Sequence, residues 1–342
     1  MGNYLSPNEF ILDCGLKPHN VDRIDIHFST ISIGKFILSG VETQLMSIKT
    51  WFLASRPWSL VMTFVSTCLA GMLAYGYGIF SVPIFILVMV GLLIAHSAAN
   101  MANDWYDVKH GVDVNAPTSE YRPHPLLFGE VDKKSYKIAV YLLYGVGLVI
   151  SLYLTWLKGL PVIVFTIVGV LLGVFYTADP IMLKHHAVGE ISVFLAFGPL
   201  MVGGAYYALT GSFSMDPMIA AIPIGLLVAL VLMANNIRDR EFDAGVGIST
   251  IITHKKESQG VRYYKILLAS AYLSNIAVIA LGVLSPFSIL SFLTAGKAYN
   301  IAKTFSEKVP LTSDMITAQL ALHFGILLTA GQFIGIALQT LL

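Results

Sequence analysis

The sequence predicts an all-α, polytopic membrane protein with nine transmembrane helices, and three observations support that fold class. The 342 residues are 56% hydrophobic and only 12% charged, about half the charged share of a typical soluble domain. Apolar runs long enough to cross a bilayer recur from about residue 51 to the C-terminus. The basic residues fall almost entirely on one side of those runs.

The predicted spans follow one another closely along the chain. In order, they cover residues 52–76, 81–102, 135–156, 159–176, 188–210, 217–236, 263–285, 287–304 and 316–341. Gly and Pro within them are tolerable, because neighbouring helices can satisfy the freed backbone groups. The eighth span is the weakest, since it is short and carries Lys297.

The N-terminal residues 1–45 differ from the rest, being mixed polar and apolar with no clean period. They lack the basic start and apolar core of a signal peptide. We expect them to be either a small cytoplasmic extension or a segment absent from the expressed protein. Residues 46–342 are expected to form the transmembrane domain.

The basic residues predict the orientation in the membrane. Of the 21 Lys and Arg residues, all except Lys158 and Lys297 lie on the side of the N-terminus and of the loops after spans 2, 4, 6 and 8. The positive-inside rule places that side in the cytoplasm of a cell-membrane protein. The net charge of +1 points to no particular partner, and we expect no nucleic-acid partner.

A repeated motif ends the second and sixth spans. Met-Ala-Asn-Asp-Trp-Tyr-Asp begins at Met101, and Met-Ala-Asn-Asn-Ile-Arg-Asp begins at Met233, so that the pattern Asn-x-x-x-Asp occurs twice. The copies are 132 residues, or four spans, apart, which preserves their orientation. The chain therefore reads as two parallel four-helix halves plus a last helix, with one acidic loop in each half.

Each copy gathers oxygen-bearing side chains next to the membrane, where acids are costly and usually functional. The first cluster is Asn103, Asp104, Asp107 and Asp113, and the second is Asn235, Asn236, Asp239 and Asp243. If span 2 continues as a helix, Asn103 and Asp107 share one face at i, i+4. Facing carboxylates repel unless a cation lies between them, and oxygen ligands without His or Cys favour Mg²⁺.

Basic side chains on the same predicted face suit a phosphate-bearing ligand. These are Arg56, Lys109, Arg122, Lys184, Arg238 and Arg240. Arg can grip phosphate with two hydrogen bonds, whereas Lys supplies a point charge. Acids and bases together at a membrane-facing mouth suit a diphosphate whose tail lies in the bilayer.

Simpler interpretations exist for each feature. A single Asp-x-x-Asp in a loop is usually a solvated loop or a helix cap, but two copies at matching positions favour a site. Arg56 serves equally well as an interfacial anchor. Glu190, at the start of span 5, is either a cap or part of the site.

These residues resemble the UbiA superfamily of membrane prenyltransferases. The two motifs, continuing to Asp113 and Asp243, are similar to its two aspartate-rich signatures. Tyr121-Arg122-Pro123 resembles its Arg-Pro element, and Tyr176 followed by Lys184 resembles its Tyr…Lys element. Within the superfamily, the run Asp107–Asp113, the run Gly189–Gly198 and motif two resemble the 1,4-dihydroxy-2-naphthoate polyprenyltransferases of menaquinone biosynthesis. The run Gly245–Thr250 departs from that pattern, because it lacks an expected Lys.

The resemblance implies nine helices around a central cavity and Mg²⁺-dependent transfer of a prenyl group from a polyprenyl diphosphate to an aromatic acceptor. It assigns metal binding to Asp104, Asp107, Asp113, Asp239 and Asp243. It assigns catalytic roles to Asn103, Asp107, Arg122, Tyr176, Lys184 and Asp239. Diphosphate binding falls to Arg56, Lys109, Asn235, Asn236 and Arg238. Glu190 is a candidate general base.

Four alternatives remain open at the level of sequence. The acceptor could instead be 4-hydroxybenzoate, a geranylgeranylglyceryl phosphate or a porphyrin. A cation-coupled secondary transporter would also use intramembrane acids. Against a transporter, the charged groups cluster at the ends of spans and not at mid-membrane.

Overall fold

Helices make up the regular structure in a computed structural model of the protein, which describes residues 48–112 and 124–341. Within those residues there is no β-strand, and the only strand-like contact is an isolated bridge between His186 and Ser249. The predicted all-α fold class is confirmed. Three predicted features lie outside the described residues, namely the N-terminal extension, Asp113 and Arg122.

The principal helices are numbered here in chain order. They are α1 (Pro57–Gly76), α2 (Val82–His110), α3 (Lys133–Lys158), α4 (Pro161–Phe175), α5 (Gly189–Thr210), α6 (Ile222–Gly245), α7 (Glu257–Ala280), α8 (Ala295–Glu307) and α9 (Ser313–Leu341). Shorter helical segments lie at 48–54, Leu183–His185, Asp216–Ala220 and Pro286–Thr294. The helices from Lys49 onward belong to one compact unit.

Seven helices in the described ranges are long and apolar enough to cross a membrane, namely all the numbered helices except α4 and α8. The 15 residues of α4 rise about 22 Å, less than the roughly 30 Å hydrocarbon core. Helix α8 has only 13 residues, because the apolar start of its predicted span winds separately as a 3₁₀ helix over Pro286–Thr294. The multi-pass prediction stands, whereas the count of nine spans is not confirmed.

Both repeated motifs lie on helices. Helix α2 continues through the first motif to His110 and ends where Gly111 adopts a left-handed conformation with φ of 71°. Helix α6 continues through the second motif to Gly245. The expectation of acidic loops is therefore wrong for the described acids, because neither motif contains a residue that breaks a helix. The helical geometry fixes Asn103 and Asp107 on one face.

Helix α5 bends where it packs against α6. A π-helical turn at Ala196–Leu200 includes Pro199, which has no N–H to continue the helical hydrogen-bond ladder. Beside it, a Cβ added to Gly198 would come within 3.0 Å of Gly225 Cα on α6. The two backbones therefore meet closely, and this junction holds the first turn of α5 beside the last turns of α6.

A small residue also allows α9 to pack closely against α1. Helix α9 crosses α1 and α6, and a Cβ on its Gly325 would lie 2.0 Å from a methyl carbon of Val65 on α1. Leu69, Leu227 and Phe324 are fully buried at this centre. In a bilayer, such close van der Waals packing supplies much of the association that the hydrophobic effect supplies in water.

Candidate active site

A cavity of about 730 Å³ opens between the helices, with a polar mouth and an apolar body. The mouth lies at the C-terminal ends of α2 and α6. Its polar residues include Asn103, Asp107, Lys184, Asn235, Asp239 and Asp243. The structure thus brings together residues from both motifs that are more than 130 positions apart in the sequence.

The cavity runs almost the full depth of the helical bundle. Asp107 at the mouth and Val88 in the body both line it, and both lie on α2, 19 residues apart. At 1.5 Å per residue the separation along the helix is about 28 Å, close to the thickness of the hydrocarbon core. Leu154, Val162 and Ala205 line the deep end. An extended apolar chain with a charged head fits this shape.

In motif one, Asp107 is 4% exposed and forms an ion pair with Lys184. The Asn103 amide satisfies both its polar atoms when its Nδ2 donates to Thr177 Oγ1 (2.6 Å) and Asp107 Oδ2 (3.0 Å). Its Oδ1 then accepts from Arg56 Nη1 at 3.2 Å. Asn103 therefore joins Asp107 to the basic residue that precedes α1.

Asp104 is buried, but it does not belong to the set of described residues that line the cavity. Its carboxylate forms an ion pair with Arg56, accepts from Tyr136 Oη at 3.2 Å, and lies 3.6 Å from His124 Nε2. The metal-binding role expected for Asp104 does not match this placement. Helical rotation explains it, because residues at i and i+1 point about 100° apart.

Arg56 is held in an unusual backbone conformation at the mouth. Its φ of 55° and ψ of 61° lie in the left-handed region, which non-glycine residues seldom occupy and which costs about 1–3 kcal/mol. The Asn100 side chain steadies this turn by donating to Ser55 O and to Ser59 Oγ, both at 2.9 Å. The turn places Arg56 in the cavity wall.

In motif two, Asp239 accepts two hydrogen bonds of 2.7 Å from the forked guanidinium of Arg238. The Arg238 side chain is only 3% exposed. It also donates to Asp314 Oδ1 at 2.7 Å and to Leu311 O at 3.0 Å, and it bonds to Asn235. Asp239, Asp314 and Asn235 line the cavity, whereas Arg238 is not among the described residues that line it.

The turn between α4 and α5 brings Lys184 to the mouth. Its backbone N–H donates to Tyr176 O at 3.0 Å, and Tyr176 itself lines the cavity as expected. Burial, reinforced by the Lys184 charge, lowers the pKa of the neighbouring His185 to about 4. The imidazole is therefore neutral near pH 7, and the positive charge of this turn is carried by Lys184.

Lys109 lies away from the mouth, contrary to the expectation that it binds diphosphate. Its Nζ donates to Asp179 Oδ2 at 3.0 Å and lies over the rings of Trp105 and Tyr106. The hydrogen bonds from Lys109 and His110 hold the pKa of Asp179 below its usual range. Lys109 is absent from the described lining of the cavity.

The donor set at the mouth suits Mg²⁺ that arrives with phosphate oxygens. No group of three or more acidic, His or Cys side chains within the described residues is arranged to hold a metal alone. Asp107 and Asp239 are each paired with a cation, and Asp243 lines the cavity beside them. Mg²⁺ commonly uses one or two carboxylates, waters and substrate phosphates, so these carboxylates fit it.

Sequence reasoning missed two residues that contact the site. Asp314 lies in the first turn of α9 and binds Arg238, and Thr177 binds Asn103. An acid at the edge of an apolar span was a signal for Asp314, but the predicted span began at residue 316. Thr177 carries no distinguishing signal, because a Thr at a helix end is usually a local hydrogen-bonding residue.

Comparisons with known proteins agree with this geometry. The sequence profile of the UbiA prenyltransferase family matches residues 64–308. The chain is 26% identical to the 1,4-dihydroxy-2-naphthoate octaprenyltransferase of Bacillus subtilis, over 82% of this chain and 91% of that one. It is 31% identical to the UbiA prenyltransferase domain-containing protein 1 homolog of Drosophila melanogaster, over 82% and 79% of the respective chains. A solved UbiA homolog from Archaeoglobus fulgidus, bound to GPP and Mg²⁺, superposes with a TM-score of 0.58 at 16% identity, over 82% of this chain and 99% of that one.

The family match spans more than two thirds of the chain, and the solved structure shows the same fold. This sets aside the secondary-transporter alternative. The chain is a multi-pass membrane enzyme, and it belongs to the UbiA prenyltransferase family.

Proposed function

We propose that the protein transfers a polyprenyl group from a polyprenyl diphosphate to an aromatic acceptor, which is 1,4-dihydroxy-2-naphthoate in menaquinone biosynthesis, with Mg²⁺ as cofactor. The observation that carries the proposal is a single cavity with Asp107 and Asp239 at its mouth and an apolar body about 28 Å deep. The name of the Bacillus subtilis relative supports the acceptor. The GPP and Mg²⁺ bound by the Archaeoglobus homolog support the donor and the metal.

The mouth residues divide into metal ligands and diphosphate ligands. Asp107, Asp239 and Asp243 would hold Mg²⁺, joined by Asp113 as the sequence predicts. Lys184, Arg56 and Asn235 line the cavity and would bind the diphosphate oxygens, joined by Arg122 as the sequence predicts. Asn236, which the sequence also assigns to the diphosphate, lines the cavity too, but its Nδ2 donates to Glu190 Oε1 at 2.9 Å, so it is not a diphosphate ligand in this proposal. When bound, Mg²⁺ neutralises the charge that develops on the leaving diphosphate. Arg238 does not bind the diphosphate in this proposal, because it holds the Asp239 carboxylate from outside the cavity lining.

The chemistry is an alkylation of the electron-rich ring. The bond between prenyl C1 and the diphosphate oxygen breaks, and its electron pair leaves with the diphosphate. A ring carbon of the acceptor forms the new bond to C1. With the naphthoate as acceptor, the carboxylate at that carbon leaves as carbon dioxide, and its bonding electrons restore the aromatic ring. The apolar cavity body keeps water from the allylic carbon.

We also propose that the mouth opens on the cytoplasmic side of the cell membrane. The charge distribution supports it, since the loops on the side of the mouth carry nearly all basic residues. Lys133→Cys, at the start of α3 on that side, should react with a membrane-impermeant maleimide only after the cells are opened. Labelling of intact cells would contradict the orientation, with Cys14 and Cys68 both replaced in the parent protein to clear the background.

The proposed reaction is tested with purified protein, Mg²⁺, a labelled polyprenyl diphosphate and a panel of acceptors. Mass spectrometry should find the decarboxylated, prenylated product of dihydroxynaphthoate, and EDTA should abolish it. Pyrophosphate release with a different acceptor, such as 4-hydroxybenzoate, would overturn the choice of acceptor and leave the transferase reaction standing. The relatives carry two different names, so the acceptor panel decides between substrates within one family.

A further inference from the structure

Glu190 is a buried carboxylate at the cavity that the diphosphate chemistry does not use. It lies in the first turn of α5, is 5% exposed and lines the cavity. Glu190 lies near the carboxylates at the ends of α2 and α6, so this part of the cavity does not suit another anionic group. A role for it must therefore involve a hydrogen-bond donor or a cation.

One of its two oxygens is held and the other has no partner. Asn236 Nδ2 donates to Oε1 at 2.9 Å across the contact between α5 and α6. Oε2 is buried and has no hydrogen-bond partner among residues 48–112 and 124–341. A buried carboxylate oxygen without a donor is costly, so the site is built for a donor that arrives with a ligand.

Glu190 lies deeper in the cavity than the carboxylates proposed to bind the metal. Asn236 precedes Asp239 by three residues on α6, so its Cα lies about 4.5 Å further from the mouth along the helix. Across the cavity wall, a Cβ on Gly189 would lie 3.5 Å from Tyr176 Oη, so the Tyr176 hydroxyl is beside the start of α5. Glu190 is therefore about one turn below the metal-binding carboxylates, towards the apolar body.

We propose that Glu190 Oε2 accepts a hydrogen bond from a ring hydroxyl of the aromatic acceptor and so orients the ring towards prenyl C1. The inference rests on the proposed function, because it needs an acceptor that carries a hydroxyl. The bond also draws electron density towards the ring, which makes the attacking carbon more nucleophilic. Asn236 occupies Oε1, which leaves Oε2 as the oxygen that can accept the hydrogen bond.

The test compares wild type with Glu190→Gln, which keeps the size of the side chain and removes its charge. The kcat/KM for the acceptor should drop about 10- to 100-fold, as for a lost hydrogen bond to a charged group, through a higher KM or a lower kcat. The KM for the prenyl diphosphate and the Mg²⁺ requirement should stay within about twofold. Glu257→Gln is the matched control, since Glu257 is an exposed acid in the first turn of α7.

A second comparison uses acceptors in which one hydroxyl is a methyl ether. In wild type, the ether that blocks the bonded hydroxyl should be disfavoured, and Glu190→Gln should shrink that preference at least about tenfold. An unchanged preference would overturn the inference, as would a raised Mg²⁺ requirement with an unchanged acceptor kcat/KM. If wild type prenylates no hydroxyl-bearing acceptor, the proposed function itself has failed. If Glu190→Gln does not bind prenyl diphosphate, Glu190→Asp, which keeps the charge but shortens the reach, serves in its place for both comparisons.

Discussion

Asp107 and Asp239 occupy the same position in the two repeats, near the C-terminal ends of α2 and α6, yet their cationic partners differ. Asp107 pairs with Lys184, which comes from the turn between α4 and α5 and lines the cavity. Asp239 is gripped by Arg238, its own chain neighbour, whose guanidinium is buried behind the lining and tied to Asp314. The position equivalent to Arg238 in the first repeat is Tyr106.

This difference separates two tasks that the same motif performs. In the proposed reaction, a cation in the cavity wall can exchange its carboxylate for a phosphate oxygen when substrate arrives, so Lys184 would serve both states of the site. Arg238 is a buried cation that bonds to Asn235, Asp239, Leu311 and Asp314, and it therefore keeps the Asp239 carboxylate in place. The repeat therefore supplies one adaptable arm and one rigid arm to the proposed metal site.

The largest effect is expected from the carboxylates themselves. Asp107→Asn and Asp239→Asn should each lower kcat/KM about a thousandfold or more, because the developing diphosphate charge loses its metal. Product formation at saturating Mg²⁺ measures it. Asp216→Asn, an acid outside the cavity lining that binds Tyr77 Oη at 2.9 Å, is the control. Near-normal turnover in either variant would show that its carboxylate does not hold the metal.

Arg238→Gln should be the most destabilising change. It removes the cation that contacts both the buried Asp239 carboxylate and the partly exposed Asp314 carboxylate, at a cost of about 3–5 kcal/mol. Thermal unfolding in detergent measures the loss. Arg240→Gln is the control, because Arg240 forms its ion pair with the exposed Glu241. A Tm equal to that of the control would show that Arg238 is not a rigid anchor.

Lys184→Gln should act on substrate binding more than on stability. We expect the KM for prenyl diphosphate to rise about 10- to 100-fold, since one charge-assisted contact to the phosphate is lost. The loss of stability should be smaller than for Arg238→Gln, because Asp107 lines the cavity and can bind Mg²⁺ instead. Steady-state kinetics and a Mg²⁺ titration of Tm measure both. An unchanged KM with a Tm as low as that of Arg238→Gln would reverse the two roles.

The smallest expected effect is a pH dependence at the Lys184 turn. The pKa of His185 is lowered to about 4 by burial and by the Lys184 charge, so the unfolded chain binds more protons than the folded one between about pH 4 and 6.5. Stability should therefore fall as the pH drops through that window. The Tm difference between wild type and His185→Gln should shrink, or change sign in favour of the variant, as the pH falls from 7 to 4.5. A gap that widens on acidification would contradict a neutral, buried imidazole.

The sequence was sufficient to predict which residues share a helix face, but not which of those faces line the cavity. Helical spacing correctly placed Asn103 and Asp107 on one face, and Lys184, Arg56 and Tyr176 do line the same cavity. Periodicity states which residues share a face, but it does not state which face meets the cavity. For this reason Asp104 and Lys109 were expected at the mouth and lie elsewhere.

Long-range pairing was the other gap. The bond between Arg238 and Asp314 joins residues 76 positions apart, and it depends on how α9 packs against α6. No local signal in a single sequence encodes that packing. The same limit applies to the span count, because the winding of Pro286–Thr294 as a 3₁₀ helix depends on its contact with α9.

A crystal structure with Mn²⁺ in place of Mg²⁺ and a non-hydrolysable prenyl thiodiphosphate would test the central claim most directly. Anomalous scattering should place Mn²⁺ and the diphosphate between the carboxylates of Asp107 and Asp239, with the prenyl chain extending towards Val88. Lys184 should then contact a phosphate oxygen, while Arg238 still grips Asp239. A metal bound away from either carboxylate, or a diphosphate outside this cavity, would contradict the account.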